Sequence, residues 1–417
     1  MRRPIRVAVV SRAVFPLHGV GGLERHVYDL VRHLARAGLH VTLVTRRPTR
    51  TRDAPAADAI HPDVVVRYVP YRTFPLAGRR WTTVLDRSTA YPAFGMKAGG
   101  VAWELVRNGH ADIVHGLGAS VLGYARRRRT SSAPLVLNPQ GLEEFGATDP
   151  AHAPLKRIAY LPLRRAVLMC ARAADAIIAT DRVLEPAVRH HLHAPPERIH
   201  VIPNALDLQA LDQLSSVVSG AERRQAAGVP PDHDVLLSVG RLEQNKGFHV
   251  LASALGALHQ SGRIGEGRWR WVIAGDGPYR LRIERAVRDA GIAAHVIFAG
   301  RVSDRELHAW YRAATLFVHP TLYEGSSLVT LEAMAHALPV VATSAGGLPD
   351  KVKTGVNGWL VPPADASALA AAISGALARR DQLAGMGIAG RSIVEREFSW
   401  NAAAAATIDL YERLLGQ

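Results

Sequence analysis

The chain has 417 residues, more than one hydrophobic core of about 100–200 residues needs, so the length predicts two domains. Apolar residues make up 48% and charged residues 21%, a mixture that excludes a disordered chain. Lys and Arg number 51 against 36 Asp and Glu, a formal charge of +15 that favours anionic partners, while the single cysteine, Cys170, excludes an internal disulfide.

The sequence contains no segment typical of a membrane span. No apolar run reaches the roughly 18–20 residues that cross a bilayer. The apolar residues 7–10 after the basic N-terminus are too few for a signal peptide, and Arg12 follows them. We therefore expect a cytoplasmic protein. The arginines 126–129 and the basic stretch 155–173 are explained either as helix surfaces or as contacts with anionic lipid at the inner face of the membrane.

The first half of the chain alternates short apolar runs with amphipathic stretches. Helical patterns such as 23–37 and 155–173 separate the runs, which predicts a parallel sheet covered by helices on both faces. The predicted strands are 5–10, 41–45, 64–69, 112–115, 135–138, 176–180 and 200–202.

The same alternation restarts in the second half. Its predicted strands are 235–239, 271–274, 296–299, 316–319, 339–342 and 358–361. We therefore predict an α/β fold with two doubly wound, Rossmann-like domains, 1–205 and 206–399, and a last helix that ends at Leu415. Since such sheets bind ligands at the carboxyl ends of their strands, we expect the site in a cleft between the two domains.

A loop with two cations follows strand 235–239. Arg241 and Lys246 lie five residues apart between glycines. A guanidinium and an ammonium suit a diphosphate, although a surface loop with two charges is the alternative.

The densest signal lies in residues 319–335. Glu324 stands in a short loop, and Gly325, Ser326, Ser327 and Leu328 open a helix that carries Glu332. The first N–H groups of a helix attract anionic or hydroxyl-rich ligands, and carboxylates accept hydrogen bonds from neighbouring hydroxyls. Taken alone, two glutamates eight residues apart are also explained by helix capping or a solvated face.

Three features of the first half lie at strand ends. Gly21 and Gly22 open a helix where the backbone can approach a phosphate closely. His115 ends a strand that points towards the same crevice, where a structural histidine is the alternative. The polar residues Gln140, Gly141 and Glu143 either line an acceptor pocket or turn the chain.

The sequence indicates no metal site. The histidines 190–193 have no carboxylate or cysteine partner at ligand spacing. The Asp-x-Asp pair, Asp232 and Asp234, stands before a strand and not after one, so we interpret it as a polar turn.

Together these motifs resemble the retaining, metal-independent glycosyltransferases with the GT-B fold, the group often called family 4 or glycosyl transferases group 1. The resemblance covers nearly the whole chain. It rests on residues 21–24, 202–207, 238–242 with Lys246, 274–278, 324–332 and 398–400.

The resemblance implies transfer of a hexosyl unit from a UDP- or GDP-linked sugar to a hydroxyl of a glycan, a lipid or a small metabolite, without a cofactor or metal. It also implies that helix 400–417 returns to the first domain. The implied roles are the following: Arg241, Lys246, Gly21 and Gly22 at the diphosphate, Glu332 at the ribose, Glu324 with the backbone of 325–328 at the sugar, and the backbone of Arg301 and Val302 at the base.

Several positions depart from the family pattern. Leu117 stands where a histidine often faces the donor sugar, which raises the question whether His115 takes that catalytic role. Gln140 replaces the histidine of a His-Gly pair, while Ala205 and Ala337 replace glycines.

Two other classes of function remain open from the sequence. A sugar phosphorylase or a nucleotide-sugar epimerase would use the same fold. The charge also suggests a nucleic-acid-binding protein, but no reader motif or aromatic interleaving is present, so we expect no nucleic acid.

Overall fold

The computed structural model describes residues 3–19, 21–48, 60–71, 80–140, 142, 145 and 158–417, without the side chains of 80–85 and 266. Its backbone folds into two compact units. Unit 1 comprises Met1–Asn204 together with Trp400–Gln417, and unit 2 comprises Ala205–Ser399.

Unit 1 is built on a parallel sheet of seven strands. They are β1 (Arg6–Val10), β2 (His40–Arg46), β3 (Val64–Val69), β4 (Ile113–Leu117), β5 (Leu135–Asn138), β6 (Ala176–Ala179) and β7 (Ile199–Val201). Their order across the sheet is β3-β2-β1-β4-β5-β6-β7. Strands β4, β5 and β6 are buried along their whole length, as expected where helices cover both faces of a sheet.

Unit 2 is built on a second parallel sheet, of six strands. They are β8 (Asp234–Val239), β9 (Trp269–Ala274), β10 (Val296–Gly300), β11 (Leu316–His319), β12 (Val340–Thr343) and β13 (Gly358–Val361). Their order is β10-β9-β8-β11-β12-β13. The two sheets confirm the prediction of two doubly wound α/β halves.

Helices connect the strands. In unit 1 and the first part of unit 2 they are α1 (Gly22–Arg36), α2 (Arg80–Arg107), α3 (Leu122–Arg126), α4 (Leu161–Ala173), α5 (Glu185–Leu192), α6 (Leu208–Ser216), α7 (Gly220–Ala226) and α8 (Phe248–Gln260). The others are α9 (Arg280–Asp289), α10 (Asp304–Ala313), α11 (Leu328–Ala335), α12 (Leu348–Lys351), α13 (Ala366–Leu377), α14 (Arg380–Glu397) and α15 (Trp400–Leu415).

The last helix, α15, packs on unit 1. The Trp400 ring lies 5.3 Å from that of His26 and 5.7 Å from that of His33, centroid to centroid. Further along α15, the hydroxyl of Tyr411 lies 2.6 Å from Nδ1 of His115 on β4. The helix therefore covers the face of the sheet on which α1 also packs.

The strand orders fix where each sheet can bind a ligand. In unit 2 the chain moves outwards from β8 in one direction and from β11 in the other, so these two neighbours mark the switch point. In unit 1 the corresponding neighbours are β1 and β4. Ligands of open α/β sheets bind beyond the carboxyl ends of such strands.

A separate point concerns the length and the hydropathy of the helices. Across the part of the chain that the structure describes, no helix combines the length and the apolar character that crossing a bilayer requires.

Candidate functional site

A lysine and a glutamate meet at the switch point of unit 2. Lys246 ends a short turn after β8, and Glu324 lies in the loop after β11. The Lys246 Nζ donates a hydrogen bond of 2.6 Å to Oε2 of Glu324. Their side chains are only 18% and 14% exposed, so this ion pair is largely shielded from water. The two predicted site residues are thus brought together by neighbouring strands.

His319 joins this pair, and sequence reasoning does not select it. It is the last residue of β11 and is fully buried. Its Nε2 lies 3.0 Å from the same Glu324 oxygen. The available signal is a polar residue at the end of a buried apolar strand, immediately before the loop that carries Glu324.

The two donors keep the Glu324 carboxylate ionised. Burial alone would raise the pKa of Glu324, but the hydrogen bond from His319 and the charge of Lys246 outweigh it and lower the pKa to about 2. Burial lowers the pKa of His319, so its ring is neutral, and the Glu324 contact opposes this shift only in part. The ionised Glu324 carboxylate is therefore contacted by the Lys246 side chain on one side and by a neutral imidazole on the other.

Close backbone contacts support the Glu324 loop. Gly346 has φ +52°, and a Cβ at this position would lie 1.7 Å from the carbonyl oxygen of Glu324. The N–H of Gly347 donates to the carbonyl of Gly325 at 3.1 Å. The turn at Gly346 and Gly347 therefore positions the loop.

Helix α11 begins beside the carboxylate. Its N-cap residue is Ser327, whose hydroxyl accepts a hydrogen bond from the N–H of Thr330 at 3.4 Å and lies 2.9 Å from the Thr330 hydroxyl. The segment 325–328, predicted to bind through its backbone, thus lies at the helix start, where N–H groups lack helical partners. The hydroxyl of Ser326 is buried without a partner among the described residues.

Glu332 lies one turn further along α11. Its Oε2 accepts a hydrogen bond of 2.9 Å from the hydroxyl of Tyr311, which is fully buried on α10. Sequence reasoning does not identify Tyr311, because nothing in the spacing of the two residues shows that α10 and α11 bring them together.

Arg241 is near in sequence but makes a different ion pair. Its side chain is 71% exposed, and Nε lies 3.2 Å from Oε1 of Glu243. The structure therefore does not join Arg241 to the Lys246–Glu324 pair. Arg301 and Val302 follow β10, so they lie at the carboxyl edge of the same sheet, two strands away from β8.

In unit 1, Gly21 and Gly22 are exposed at the start of α1, with Gly21 as the N-cap residue. Gln140 has a positive φ of 63°, and its backbone N–H donates to Oδ1 of Asn138 at 3.1 Å. The predicted acceptor residues Gly141 and Glu143 lie outside the described residues.

The structure does not support a catalytic position for His115. This residue lies in the middle of β4, is 1% exposed, and has Nδ1 within 2.6 Å of the Tyr411 hydroxyl. Burial, with a smaller effect of His26, lowers the pKa of His115 to about 3. A substrate has no access to a ring packed in this way, so we interpret His115 as a structural residue.

Comparison with known proteins identifies the family. The family model described as "Glycosyl transferases group 1" matches residues 233–379, and the one described as "Glycosyltransferase Family 4" matches residues 20–210. D-inositol 3-phosphate glycosyltransferase 2 of Catenulispora acidiphila is 32% identical over 433 residues, which cover 98% of this chain and 95% of that protein. The chain belongs to the family 4 glycosyltransferases.

Solved structures agree with the fold of this glycosyltransferase. Sucrose-phosphate synthase from Thermosynechococcus elongatus aligns over the full length of both chains with a TM-score of 0.75 and 25% identity. HepE of Anabaena in complex with UDP-glucose aligns with a TM-score of 0.69 and 19% identity, covering 98% of this chain and 99% of that one. These neighbours confirm the GT-B fold. Family membership favours sugar transfer over the phosphorylase, epimerase and nucleic-acid-binding alternatives.

The described part of the glycosyltransferase contains no group of three or more His, Cys, Asp or Glu side chains arranged to hold a metal ion. The Asp232–Asp234 pair lies at the amino end of β8, opposite the edge that carries Lys246. There Asp234 forms an ion pair with Arg380. The enzyme therefore places its one Asp-x-Asp motif away from the site.

Proposed function

We propose that this enzyme is a retaining hexosyltransferase that moves a sugar from a UDP- or GDP-linked donor to an acceptor hydroxyl without a metal ion. The observation that carries the proposal is the Lys246–His319–Glu324 cluster beside the start of α11, at the switch point of unit 2. Retention is proposed from the resemblance to the family.

The first requirement of the reaction is a stable leaving group. As the bond to the sugar breaks, negative charge develops on the departing diphosphate. Lys246 and the N–H groups at the start of α11 supply positive charge beside it. Arg241, exposed on the same loop as Lys246, can rotate towards a bound diphosphate without disturbing the core.

The second requirement of the reaction is binding of the nucleotide-sugar donor. In the proposed complex Glu332 accepts hydrogen bonds from the ribose hydroxyls, and Glu324 accepts one from the sugar. The hydrogen bonds of Lys246 and His319 to Glu324 both use Oε2. In Glu324, Oε1 is therefore the oxygen that we assign to the donor sugar.

The remaining predicted contacts belong to the same proposal. The backbone of Arg301 and Val302 would contact the base, and the backbone at Gly21 and Gly22 would contact the diphosphate. For the acceptor, the relatives' name points to a phosphorylated cyclitol as the first compound to test. For the donor, the neighbour crystallised with UDP-glucose makes that nucleotide sugar the first choice.

The test is a release assay. The protein is incubated with UDP-glucose, UDP-N-acetylglucosamine or GDP-mannose, with and without inositol phosphate, glycan and lipid acceptors. We expect acceptor-dependent release of UDP or GDP, unchanged by EDTA, and a product with the anomeric configuration of the donor. No release with any pair overturns the proposed UDP- or GDP-linked donor. An inverted product overturns retention, and a loss in EDTA that Mg²⁺ or Mn²⁺ restores overturns metal independence.

We also propose contact with an anionic membrane, on a separate observation. The outer face of α4 exposes Leu161 and Met169, at 41% and 43%, beside exposed Arg165 and Arg172. Apolar and basic side chains alternating on one helix face are typical of interfacial binding. Sedimentation with phosphatidylglycerol vesicles but not with phosphatidylcholine vesicles would support it, and equal sedimentation would refute it.

A further inference from the structure

Lys246 has one partner in this structure and a different one in the proposed complex with the donor. In this structure the Lys246 ammonium bonds to Glu324. With donor bound, the proposed function assigns the same ammonium to the diphosphate. When Lys246 turns to the phosphate, the largely buried Glu324 carboxylate loses its nearest cation, and an uncompensated buried charge is costly.

We propose that His319 is a positioning residue whose Nε2–H holds the Glu324 carboxylate in place when Lys246 bonds to the donor diphosphate. This inference rests on the proposed function and assigns a role to a residue that does not itself contact the donor.

The tautomer of His319 follows from its surroundings. An ionised carboxylate can only accept hydrogen bonds, so Nε2, which faces Glu324 at 3.0 Å, must carry the proton. Nδ1 is buried without a partner among the described residues. A proton there would create a cation with an unpaired donor in the core, which burial disfavours. The neutral Nε2–H form is therefore the one that fits.

The position of the ring suits this role. His319 ends a central strand of the sheet and is fully buried, so its ring cannot move with a surface loop. Its Nε2 also lies 3.4 Å from the Ser327 hydroxyl that caps α11. One rigid side chain thus contacts both the carboxylate and the helix start that flank the proposed sugar site. Lys246, in contrast, has a flexible stem that can exchange partners.

The charged groups that face Glu324 are few. Lys246 approaches from the turn after β8 and His319 from β11, while the N-cap residue Ser327 beside His319 and the turn at Gly346 and Gly347 against the Glu324 loop carry no charge. With both donors in place Glu324 stays ionised well below the pH range of an activity assay, and removal of the His319 donor should bring the acid limb of Glu324 to higher pH, towards that range.

Two variants separate positioning from simple packing. His319→Leu removes the donor, and His319→Gln keeps an N–H donor near the place of Nε2. We expect the leucine variant to lose about 10- to 100-fold in kcat, the range for a hydrogen bond to a charged group, with its acid limb shifted upwards. The glutamine variant should keep the wild-type acid limb and stay within about threefold in kcat. A leucine variant with the wild-type kcat and acid limb overturns the proposal, as does a folded glutamine variant that behaves like the leucine one.

A measurement on the wild-type protein keeps the test valid if His319→Leu does not fold. Imidazole ¹⁵N NMR with and without UDP or GDP should show the neutral Nε2–H tautomer of His319 in both states. An Nδ1–H tautomer, or a charged ring with nucleotide bound, overturns the assignment. Failure of the underlying function gives a different result, because wild-type protein would then release no nucleotide from any donor.

Discussion

The hydroxyl of Tyr311 donates a hydrogen bond of 2.9 Å to Oε2 of Glu332, and so fixes the carboxylate proposed to bind the ribose. Burial and the Glu332 charge raise the pKa of Tyr311, so its proton stays on the hydroxyl. The ring itself packs 4.9 Å from that of His336 at an angle of 22°. Tyr311 is therefore held on two sides and can orient Glu332 without contacting a ligand.

Replacing Tyr311 by Phe tests this relationship. The ring and its packing remain, but Glu332 loses a donor, so we expect KM for the nucleotide sugar to rise about 3- to 10-fold with little change in kcat. The preference for a donor over its 2′-deoxyribose analogue should fall as well, since an unfixed carboxylate distinguishes the two less well.

The matched control for this variant is Tyr124→Phe in unit 1. Tyr124 is also fully buried, and its hydroxyl donates to the carbonyl of Ala133 at 2.7 Å. Steady-state kinetics should show an unchanged KM for the control. If both variants leave KM and the ribose preference unchanged, the role assigned to Tyr311 is wrong.

The sequence allows the sheets to be predicted because their strands are short, apolar runs separated by helices. All thirteen predicted strands overlap strands of the structure, including the three-residue β7. Residues close in sequence to a strand end, such as Lys246 and Glu324, are also found where the parallel arrangement places them. In both cases local pattern and sheet geometry carry the information.

Side-chain partners distant in sequence could not be predicted in this way. His115 is interpreted from its strand as a site residue, but its partner Tyr411 lies 296 positions later on a helix that returns to unit 1. His319 and Tyr311 support Glu324 and Glu332 from buried positions, where a polar residue gives no periodic signal. Only the packed structure shows which of these polar atoms form hydrogen bonds with each other.

Loss of the Lys246 charge should stop most turnover. Because Lys246→Ala removes the cation proposed to stabilise the leaving group, kcat should fall on the order of 10²–10³-fold. Lys97→Ala, on the exposed face of α2 in unit 1, changes the net charge equally and should keep the wild-type kcat. Comparable rates for the two variants would contradict the assigned role.

Ala337 occupies a backbone conformation that favours glycine. Its φ is 55°, and its carbonyl lies so close to α14 that a Cβ on Gly387 would be 1.8 Å from the oxygen. A left-handed conformation costs an L-residue roughly 1–2 kcal/mol, part of which glycine recovers despite its larger unfolded-state entropy. Ala337→Gly should therefore stabilise the protein by about 0.5–1 kcal/mol.

The control is the same substitution at a helical position. Ala371→Gly, exposed inside α13, should destabilise the protein by about 1 kcal/mol. Thermal unfolding of both variants checks the signs, and a lower melting temperature for Ala337→Gly would refute the strain argument.

Acid should destabilise the protein partly through its buried histidines. Burial, with a smaller effect of His26, lowers the pKa of His115 to about 3, and burial lowers that of His26 to about 4. Unfolding exposes both rings, whose pKa then returns to about 6.5, so between these values the unfolded state binds more protons than the folded state. The stabilisation is complete above about pH 6.5 and is lost as the pH falls towards the folded-state values. At pH 5 the loss from His115 alone is about 2 kcal/mol.

The prediction for His115 is checked by comparing melting temperatures at pH 7 and pH 5. The His115→Leu variant cannot take up this proton, so its melting temperature should fall less on acidification than that of the wild type, even if it starts lower because Tyr411 has lost its partner. His110→Gln, at an exposed position of the same unit, should show the full wild-type decrease. An equal decrease in all three proteins would mean that His115 is already accessible to protons in the folded state, and the interpretation of this residue as a buried structural group would then be wrong.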